Sequence, residues 1–334
     1  MKKNYYLFNP GRLSRRDNTL KFIPVDEEGR EGPPKYLPVE GVEDLYMFGS
    51  LDTNSALYNF LGKNQVAVHF FDYHENYTGS FMPKDQLLSG KMLIAQARAF
   101  DNPEIRMKIA RKIIDGAAHN MIKNLRYYDK RGKDMEPLIE IMEDYRRTID
   151  NAEGPQNLMG TEGNIRKIYY EAFTLIIKDF QMEGRSMQPP RNEVNALISF
   201  GNMMCYSQCL RAIHQTQLNP VISFLHAPGE RRYSLSLDLA EIFKPILVDR
   251  VIFKVLNKKI ISDDCFEKKL NGVLLNEKGR KAFITHFEER LNETIKHRTL
   301  NRDVSYKHLL KLECFKLQKH LLNIEEYQPF KMYW

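Results

Sequence analysis

The sequence predicts an α+β protein of two domains, a small N-terminal β domain (residues 1–86) and a larger all-α domain (87–334). Residues 1–86 contain short runs rich in Tyr, Phe, Val and Ile between turn-forming residues, which is typical of strands. From residue 87 onward, apolar residues recur three and four positions apart, which is the period of a helix. The 334 residues suffice for two domains that each bury a core.

The elements follow from local signals. In the first domain, the segments KNYYLFN, LKFIPV, VEDLYMFG and QVAVHFFDY predict strands, and NSALYNFLGK predicts a short helix. In the second domain, Asp101 or Asn102 with Pro103 behind it predicts a helix start, since Asp and Asn cap helices and Pro suits the first turn. Further helices are expected at 136–151, 161–182, 192–217, 235–256, 277–296 and 304–324.

Composition excludes several classes of protein. A hydrophobic content of 43% and a charged content of 28% favour a globular chain over a disordered one. No run approaches the roughly 18 apolar residues that span a bilayer, so we expect a cytoplasmic protein without a membrane segment. The net charge is +7, and residues 251–334 contain 17 Lys and Arg against 11 Asp and Glu. This excess suits a polyanionic partner, although a solvated basic surface gives the same count.

Common nucleotide and zinc motifs are absent from the sequence: it contains no GxxxxGK[ST], GxGxxG or HExxH. Cys205 and Cys209 share a helical face, but no matching Cys/His pair lies near them. Buried free thiols are therefore favoured over a metal site.

The first candidate for chemistry is Glu162, in GTEGNIRKIYYEAF. In one interpretation, Thr161 caps a helix and Glu162 is a first-turn acid that favours the helix dipole. In the other, Glu162 shares the apolar face of Ile165 and Tyr169, where an unpaired charge is costly. Arg166, four residues later, would pair with it.

The second candidate group lies in SFLHAPGERRYSLSLDLAEIF. His226 follows an apolar run, where a histidine is commonly a hydrogen-bonded structural residue. Ser234 is expected to cap a helix on which Asp238 and Glu241, three residues apart, are neighbours. Two such acids repel each other unless a cation or a base separates them.

Three segments carry a family resemblance: GTEGNIRKIYY, NEVNALISFGNMMCYSQCL and LNPVISFLHAPGERRYSLSLDLAEIFKPILVDRVIFKVL. They resemble the CRISPR-associated adaptation integrase/endonuclease family (the Cas-one family), and the likeness covers essentially the whole chain. The family pairs an N-terminal β domain with a C-terminal helical domain. The resemblance implies a metal-dependent DNA endonuclease and integrase that inserts spacer DNA into a repeat array by 3′-OH attack on a phosphodiester.

The resemblance also implies the residues of the site. Glu162, His226 and Glu241 correspond to the metal ligands, and Asp238 to a second catalytic acid beside them, which would orient His226, Arg231 or a water molecule. Two carboxylates and one imidazole suit Mn2+ or Mg2+. Where relatives often have EEFRP, this chain has EIFKP, which retains a cation at Lys244. The expected DNA-phosphate contacts are Arg166, Arg231, Arg232 and Lys244.

The partners that the resemblance implies are double-stranded and branched DNA, a second copy of the chain and a small ferredoxin-like CRISPR-associated companion (the Cas-two family). The homodimer is expected to form through the β domains, and catalysis to reside in residues 87–334. The alternative is a non-catalytic nucleic-acid-binding or scaffold subunit of the adaptation complex, whose carboxylates only pair with basic residues.

Overall fold

The computed structural model describes residues 2–26, 28–72, 75–84, 89–186, 189–229, 233–269 and 272–333. The chain forms two compact units, Met1–Gln86 and Leu87–Trp334. Most strands belong to the first unit and most helices to the second, so the predicted α+β class is confirmed. Within the described ranges, no helix combines the length and the hydropathy needed to cross a membrane.

The described part of the first unit forms two four-stranded sheets around an apolar cluster that includes Leu20, Leu45 and Val68. Its elements are β1 Lys3–Leu7, β2 Gly11–Arg16, β3 Thr19–Pro24, β4 Lys35–Pro38, β5 Val42–Met47, β6 Leu51–Asp52, α1 Ser55–Lys63, β7 Ala67–Phe71 and β8 Tyr77–Phe81. One sheet has the order β1-β5-β7-β8 and the other the order β4-β3-β2-β6. In the first sheet β1, β5 and β7 are parallel, and β8 pairs antiparallel with β7.

The second unit is predominantly helical. Its elements are α2 Gly90–Asp101, α3 Pro103–Asp129, α4 Glu136–Arg147, α5 Pro155–Ile176, α6 Glu193–His214, α7 Ser234–Lys244, α8 Arg250–Asn257, β9 Phe266–Lys269, β10 Gly272–Leu275, α9 Glu277–Asn292, β11 Thr294–His297, β12 Arg302–Ser305 and α10 Tyr306–Leu321. The predicted start of α3 is confirmed, and of the two possible capping residues it is Asn102 whose side chain accepts hydrogen bonds from the first turn. The β9–β10 and β11–β12 hairpins were not expected, and this unit is therefore not entirely α-helical. All four cysteines are buried and free.

The helix expected at 235–256 is interrupted by a π-helical turn, Pro245–Asp249, between α7 and α8. Pro245 causes the interruption, because proline has no backbone N–H and its ring crowds the preceding helical turn. Single π-turns in helices often occur at functional sites. This turn brings Asp249 into the buried interior, where 2% of the residue is exposed.

Two buried amides of α3 hold the helices of the candidate site. Asn124 donates from Nδ2 to the Tyr169 hydroxyl of α5 at 2.9 Å and to the Pro245 carbonyl at 2.7 Å. Asn120 donates to the Ile242 carbonyl of α7 at 3.0 Å. Because a buried amide without its partners is costly, these bonds fix α5 and α7 against α3.

Candidate catalytic site

Glu162 lies inside helix α5 and not at its start. The helix begins at Pro155 after the N-cap residue Gly154, so the expectation that Thr161 caps it is wrong. Proline in the first turn is the stronger start signal, and it stands in the sequence six residues before Thr161. Glu162 is therefore no first-turn acid that neutralises a helix dipole, and its charge requires another partner.

That partner is Arg166, which joins two helices through their carboxylates. Its Nε atom donates to Glu162 Oε1 at 2.5 Å, and its Nη2 atom donates to Glu241 Oε2 on α7. The three side chains are 15%, 18% and 6% exposed, respectively. One guanidinium group thus brings together two acids that are far apart in the sequence, in a place largely shielded from water.

Glu241 has a second cationic partner, Lys244. The Lys244 ammonium lies 2.6 Å from Glu241 Oε1 and 4.8 Å from the centre of the Tyr206 ring. Burial raises the pKa of Glu241, but the charges of Lys244 and Arg166 outweigh burial and lower it to about 2. His226 makes a smaller contribution to this lowering. Glu241 is consequently ionised throughout the physiological pH range.

Asp238 is fully buried and holds the segment that carries His226. Its Oδ2 atom accepts the backbone N–H groups of Phe224 and Leu225 at 2.6 and 3.0 Å. Its Oδ1 atom accepts the backbone N–H and the ring Nδ1 of His226, at 3.0 and 2.8 Å. In the neutral imidazole, a proton on Nδ1 leaves a lone pair on Nε2, which is the form that binds a metal ion.

A further buried acid of this region, not among the predicted site residues, is Asp249. It interacts with the Tyr169 hydroxyl and with the charges of Arg166, Lys244 and Glu241. Burial raises its pKa to about 7, although Arg166 acts in the opposite direction. Its Oδ2 atom has no hydrogen-bond partner within the described part of the chain. An acid within the apolar segment PILVDRVIF was the signal that would have identified it.

A divalent metal ion fits the chemistry of these donors. Two carboxylates and one imidazole form a ligand set that suits Mn2+ or Mg2+. The described residues contain no group of three or more His, Cys, Asp or Glu side chains that could hold a metal ion as they stand. Arg166 and Lys244 pair with the carboxylate oxygens of Glu162 and Glu241. Metal binding would therefore require these cations to give up part of their contacts.

The four basic residues expected to contact DNA fall into two groups. Arg166 and Lys244 belong to the buried carboxylate network, and the Lys244 side chain is 7% exposed. Arg231 and Arg232 lie outside the described residues. A phosphate contact of Arg166 or Lys244 would therefore occur at the carboxylates themselves and not on an open basic surface.

Comparisons with known proteins agree with this architecture. Residues 5–289 match the family model described as CRISPR associated protein Cas1. A CRISPR-associated endonuclease Cas1 from Fusobacterium nucleatum is 42% identical over 335 residues, which cover 100% of this chain and 98% of the relative. The structure of a CAS1 protein from Thermotoga maritima is 36% identical, with a TM-score of 0.86 over 99% of this chain and 100% of that one. A casposase bound to integration product shares the fold at 18% identity, with a TM-score of 0.87 over 98% and 92% of the two chains.

Proposed function

Because the chain belongs to the CRISPR-associated Cas1 family and is an endonuclease and integrase of CRISPR adaptation, we propose that Glu162, His226 and Glu241 form its metal-dependent catalytic site. The observation that carries the proposal is the double ion pair of Arg166 with Glu162 and Glu241. It joins the acids of α5 and α7, and Asp238, three residues before Glu241 on α7, binds His226. Charged residues with strongly shifted pKa values, such as Glu241, cluster at functional sites.

Glu162, Glu241 and Nε2 of His226 would hold the metal ion, Mn2+ or Mg2+. When bound, the ion polarises a phosphodiester oxygen and helps to deprotonate the attacking hydroxyl. Glu241 suits the ligand role because its low pKa keeps it anionic. Asp238 suits a supporting role, since both of its oxygens are already engaged by the His226 segment.

Arg166 and Lys244 would contact the reacting phosphate. In the structure they neutralise Glu162 and Glu241, so their charges already lie at the carboxylates. If a metal ion takes over the carboxylates, both cations become available to stabilise charge that develops on the phosphate oxygens.

The proposed reaction is a transesterification. The 3′-OH of the incoming spacer DNA attacks a phosphorus atom of the repeat, a new P–O bond forms, and the bond to the original 3′ oxygen breaks. The proton of the attacking hydroxyl is lost and the departing oxygen gains one. Hydrolysis uses water in place of the 3′-OH at the same site, so one site supports both integrase and endonuclease activity.

In the alternative, a non-catalytic scaffold, these carboxylates would only pair with Arg166 and Lys244 and would bind no metal ion. Cleavage of a branched DNA in Mn2+ distinguishes the two. We expect His226→Ala and Glu241→Gln to abolish cleavage with the fold intact by circular dichroism, and a chelator to abolish cleavage by the wild type. His286→Ala, which removes an imidazole from α9, is the matched control and should cleave normally. Normal cleavage by His226→Ala, or cleavage in chelator, would exclude this site.

We further propose that the chain acts in the cytoplasm as a homodimer formed through residues 1–86, with residues 87–334 as the catalytic part. The partners are double-stranded and branched DNA and a small CRISPR-associated companion of the Cas-two family. Family membership supports this assembly. Light scattering on the full chain, alone and with the companion, should show a dimer and then a larger complex. A monomer at micromolar concentration would contradict the homodimer.

A further inference from the structure

Segment 327–333 follows α10 without regular secondary structure, and we call it the strap. Irregular segments commonly run over the protein surface. The strap differs, because its side chains Tyr327, Phe330 and Met332 are buried. The Phe330 ring stacks on Phe243 of α7, with the ring centroids 6.1 Å apart and the planes 8° apart. The strap is therefore packed into the second unit and contacts α7 directly.

One buried amide, Asn120 of α3, joins the strap to α7. Its Nδ2 group donates to the Ile242 carbonyl at 3.0 Å and to the Phe330 carbonyl at 3.1 Å. Its Oδ1 atom accepts the backbone N–H of Met332 at 2.8 Å. The strap thus supplies two of these three bonds, and the third goes to the residue directly after Glu241. Because a buried amide without its partners is costly, release of the strap would leave Asn120 unsatisfied beside α7.

Helices α10 and α3 hold the strap in place. The fully buried Glu313 of α10 accepts the Tyr327 hydroxyl at 2.7 Å and the Phe330 N–H at 3.2 Å, both on Oε1. On α3, Gly116 allows a close approach, since a Cβ atom there would lie 2.8 Å from Pro329 Cβ. These contacts fix the strap in one position, which it can transmit to α7.

The strap acts where α7 loses its regular hydrogen bonds. The helix ends at Lys244 and continues into the π-turn Pro245–Asp249. Proline has no backbone N–H, so it donates no helical bond to the carbonyl of Glu241, four residues before it. Carbonyls in the last turn of a helix need partners from outside it, and Asn120 is such a partner for Ile242. Since a catalytic group has to be held within about 0.5 Å of its productive position, the turn that carries Glu241 needs this support.

We propose that the strap positions the catalytic helix: through Asn120 and Phe330 it fixes the last turn of α7 and so holds Glu241 where it can bind a metal ion. The inference rests on the proposed function, in which Glu241 is a metal ligand. The strap and its amide bind the residues after Glu241, whereas the Glu241 carboxylate pairs with Arg166 and Lys244. Asn120 and Phe330 are therefore positioning residues, which act on the metal ion through α7.

Metal affinity and hydrogen exchange, both measured on the full chain, test this proposal. Phe330→Ala removes the stacked ring, and Asn120→Asp places an oxygen where the amide nitrogen donates to two carbonyls. Each should weaken Mn2+ binding in calorimetric titration about tenfold, the lower end of the loss caused by removing a supporting partner of a metal ligand. Each should also speed exchange of the α7 backbone amides in chelator, where no metal ion contributes.

Milder variants guard against misfolding of the first two. Gly116→Ala adds one methyl group that pushes on Pro329, and alanine favours a helix, so this variant should fold and still loosen the strap. Phe330→Leu keeps most of the apolar volume, and its Mn2+ affinity should lie between those of Phe330→Ala and the wild type.

Two controls separate positioning from a general loss of stability. Phe22→Ala removes a buried ring from the core of the first unit, and Phe315→Ala removes an exposed ring from α10. Neither variant should change the Mn2+ affinity or the exchange of the α7 amides.

The outcomes distinguish this inference from the proposed catalytic site. If folded Phe330→Ala and Gly116→Ala bind Mn2+ and exchange their α7 amides as Phe22→Ala does, the strap proposal is wrong, even when His226→Ala abolishes cleavage. Weaker Mn2+ binding with unchanged α7 exchange would also contradict an action through α7. If both strap variants show both effects while His226→Ala cleaves normally, the strap proposal stands and the role of His226 fails.

Discussion

Asp238 and His226 are joined twice, through the ring Nδ1 at 2.8 Å and through the backbone N–H at 3.0 Å, both on the same carboxylate oxygen. One acid thus fixes both the position and the tautomer of the imidazole. The same acid accepts two further backbone N–H groups, so it has no oxygen left for a metal ion of its own. This relationship separates the roles of Asp238 and Glu241, which are only three residues apart.

Asp238→Asn should reduce metal affinity without removing a ligand. An amide has one acceptor oxygen in place of two, so the 224–226 segment loses hydrogen bonds and His226 loses its fixed tautomer. Loss of such a supporting partner typically costs 10–100-fold in metal affinity. Calorimetric titration with Mn2+ measures the metal affinity of Asp238→Asn and of the wild type. Glu241→Gln should abolish binding in the same experiment, and equal effects of the two variants would contradict the separate roles.

Arg166→Met should destabilise the fold, and Mn2+ should restore part of the loss. The substitution leaves Glu162 and Glu241 without their shared cation, and breaking a buried pair costs about 3–5 kcal/mol. Since a divalent ion replaces the missing charge, Mn2+ should raise the Tm of this variant more than that of the wild type. Arg146→Met breaks a 2.7 Å pair with Asp115 on a different surface and is the control. An equal Tm increase in all three proteins would refute metal binding at these carboxylates.

Asp249→Asn should change how stability depends on pH. Burial raises the pKa of Asp249 from 3.8 to about 7, so the folded protein retains a proton that the unfolded chain loses. Its contribution to stability is complete below pH 3.8 and falls as the pH rises towards 7. Glu241, with a pKa lowered to about 2, contributes in the opposite sense: its stabilisation is present above pH 4.5 and is lost as the pH falls.

Urea unfolding between pH 4 and pH 8 measures the Asp249 contribution. The free energy of unfolding of Asp249→Asn should decline less over this range than that of the wild type. Asp150→Asn, a substitution at an exposed position, should follow the wild-type profile. Parallel profiles for all three proteins would show that Asp249 is not protonated in the folded state.

Gly201→Ala should destabilise the protein through the π-turn. A Cβ atom at Gly201 would lie 2.4 Å from Val248 Cγ1 and 2.9 Å from Phe283 Cζ. Overpacking of this kind typically costs about 1–3 kcal/mol. Gly160→Ala in α5 is the control, because nothing lies within 4 Å of its Cβ and alanine favours a helix by about 1 kcal/mol. Thermal unfolding should show a lower Tm for Gly201→Ala and a higher Tm for Gly160→Ala than for the wild type. A higher Tm for Gly201→Ala would disprove the close approach of Val248 and Phe283 to Gly201.

Several features follow from local sequence alone. Asn102 and Pro103 identify the start of α3, because capping and proline geometry involve only adjacent residues. The pair of Glu162 with Arg166 is likewise a local i, i+4 contact on one helix. Thr161 predicts a helix start because it is a possible capping residue, but α5 begins at Pro155 and Thr161 lies within the helix.

By itself the sequence determined the order of the domains, the helical and strand periods and the residue types available for chemistry, since those are properties of neighbouring residues. Only the tertiary structure decided how those residues meet. The contact of Arg166 with Glu241 spans 75 residues, and the raised pKa of Asp249 depends on its burial in the π-turn. The physical reason is that charge pairing and desolvation depend on distance in space, which packing of α3, α5 and α7 sets and no local pattern encodes.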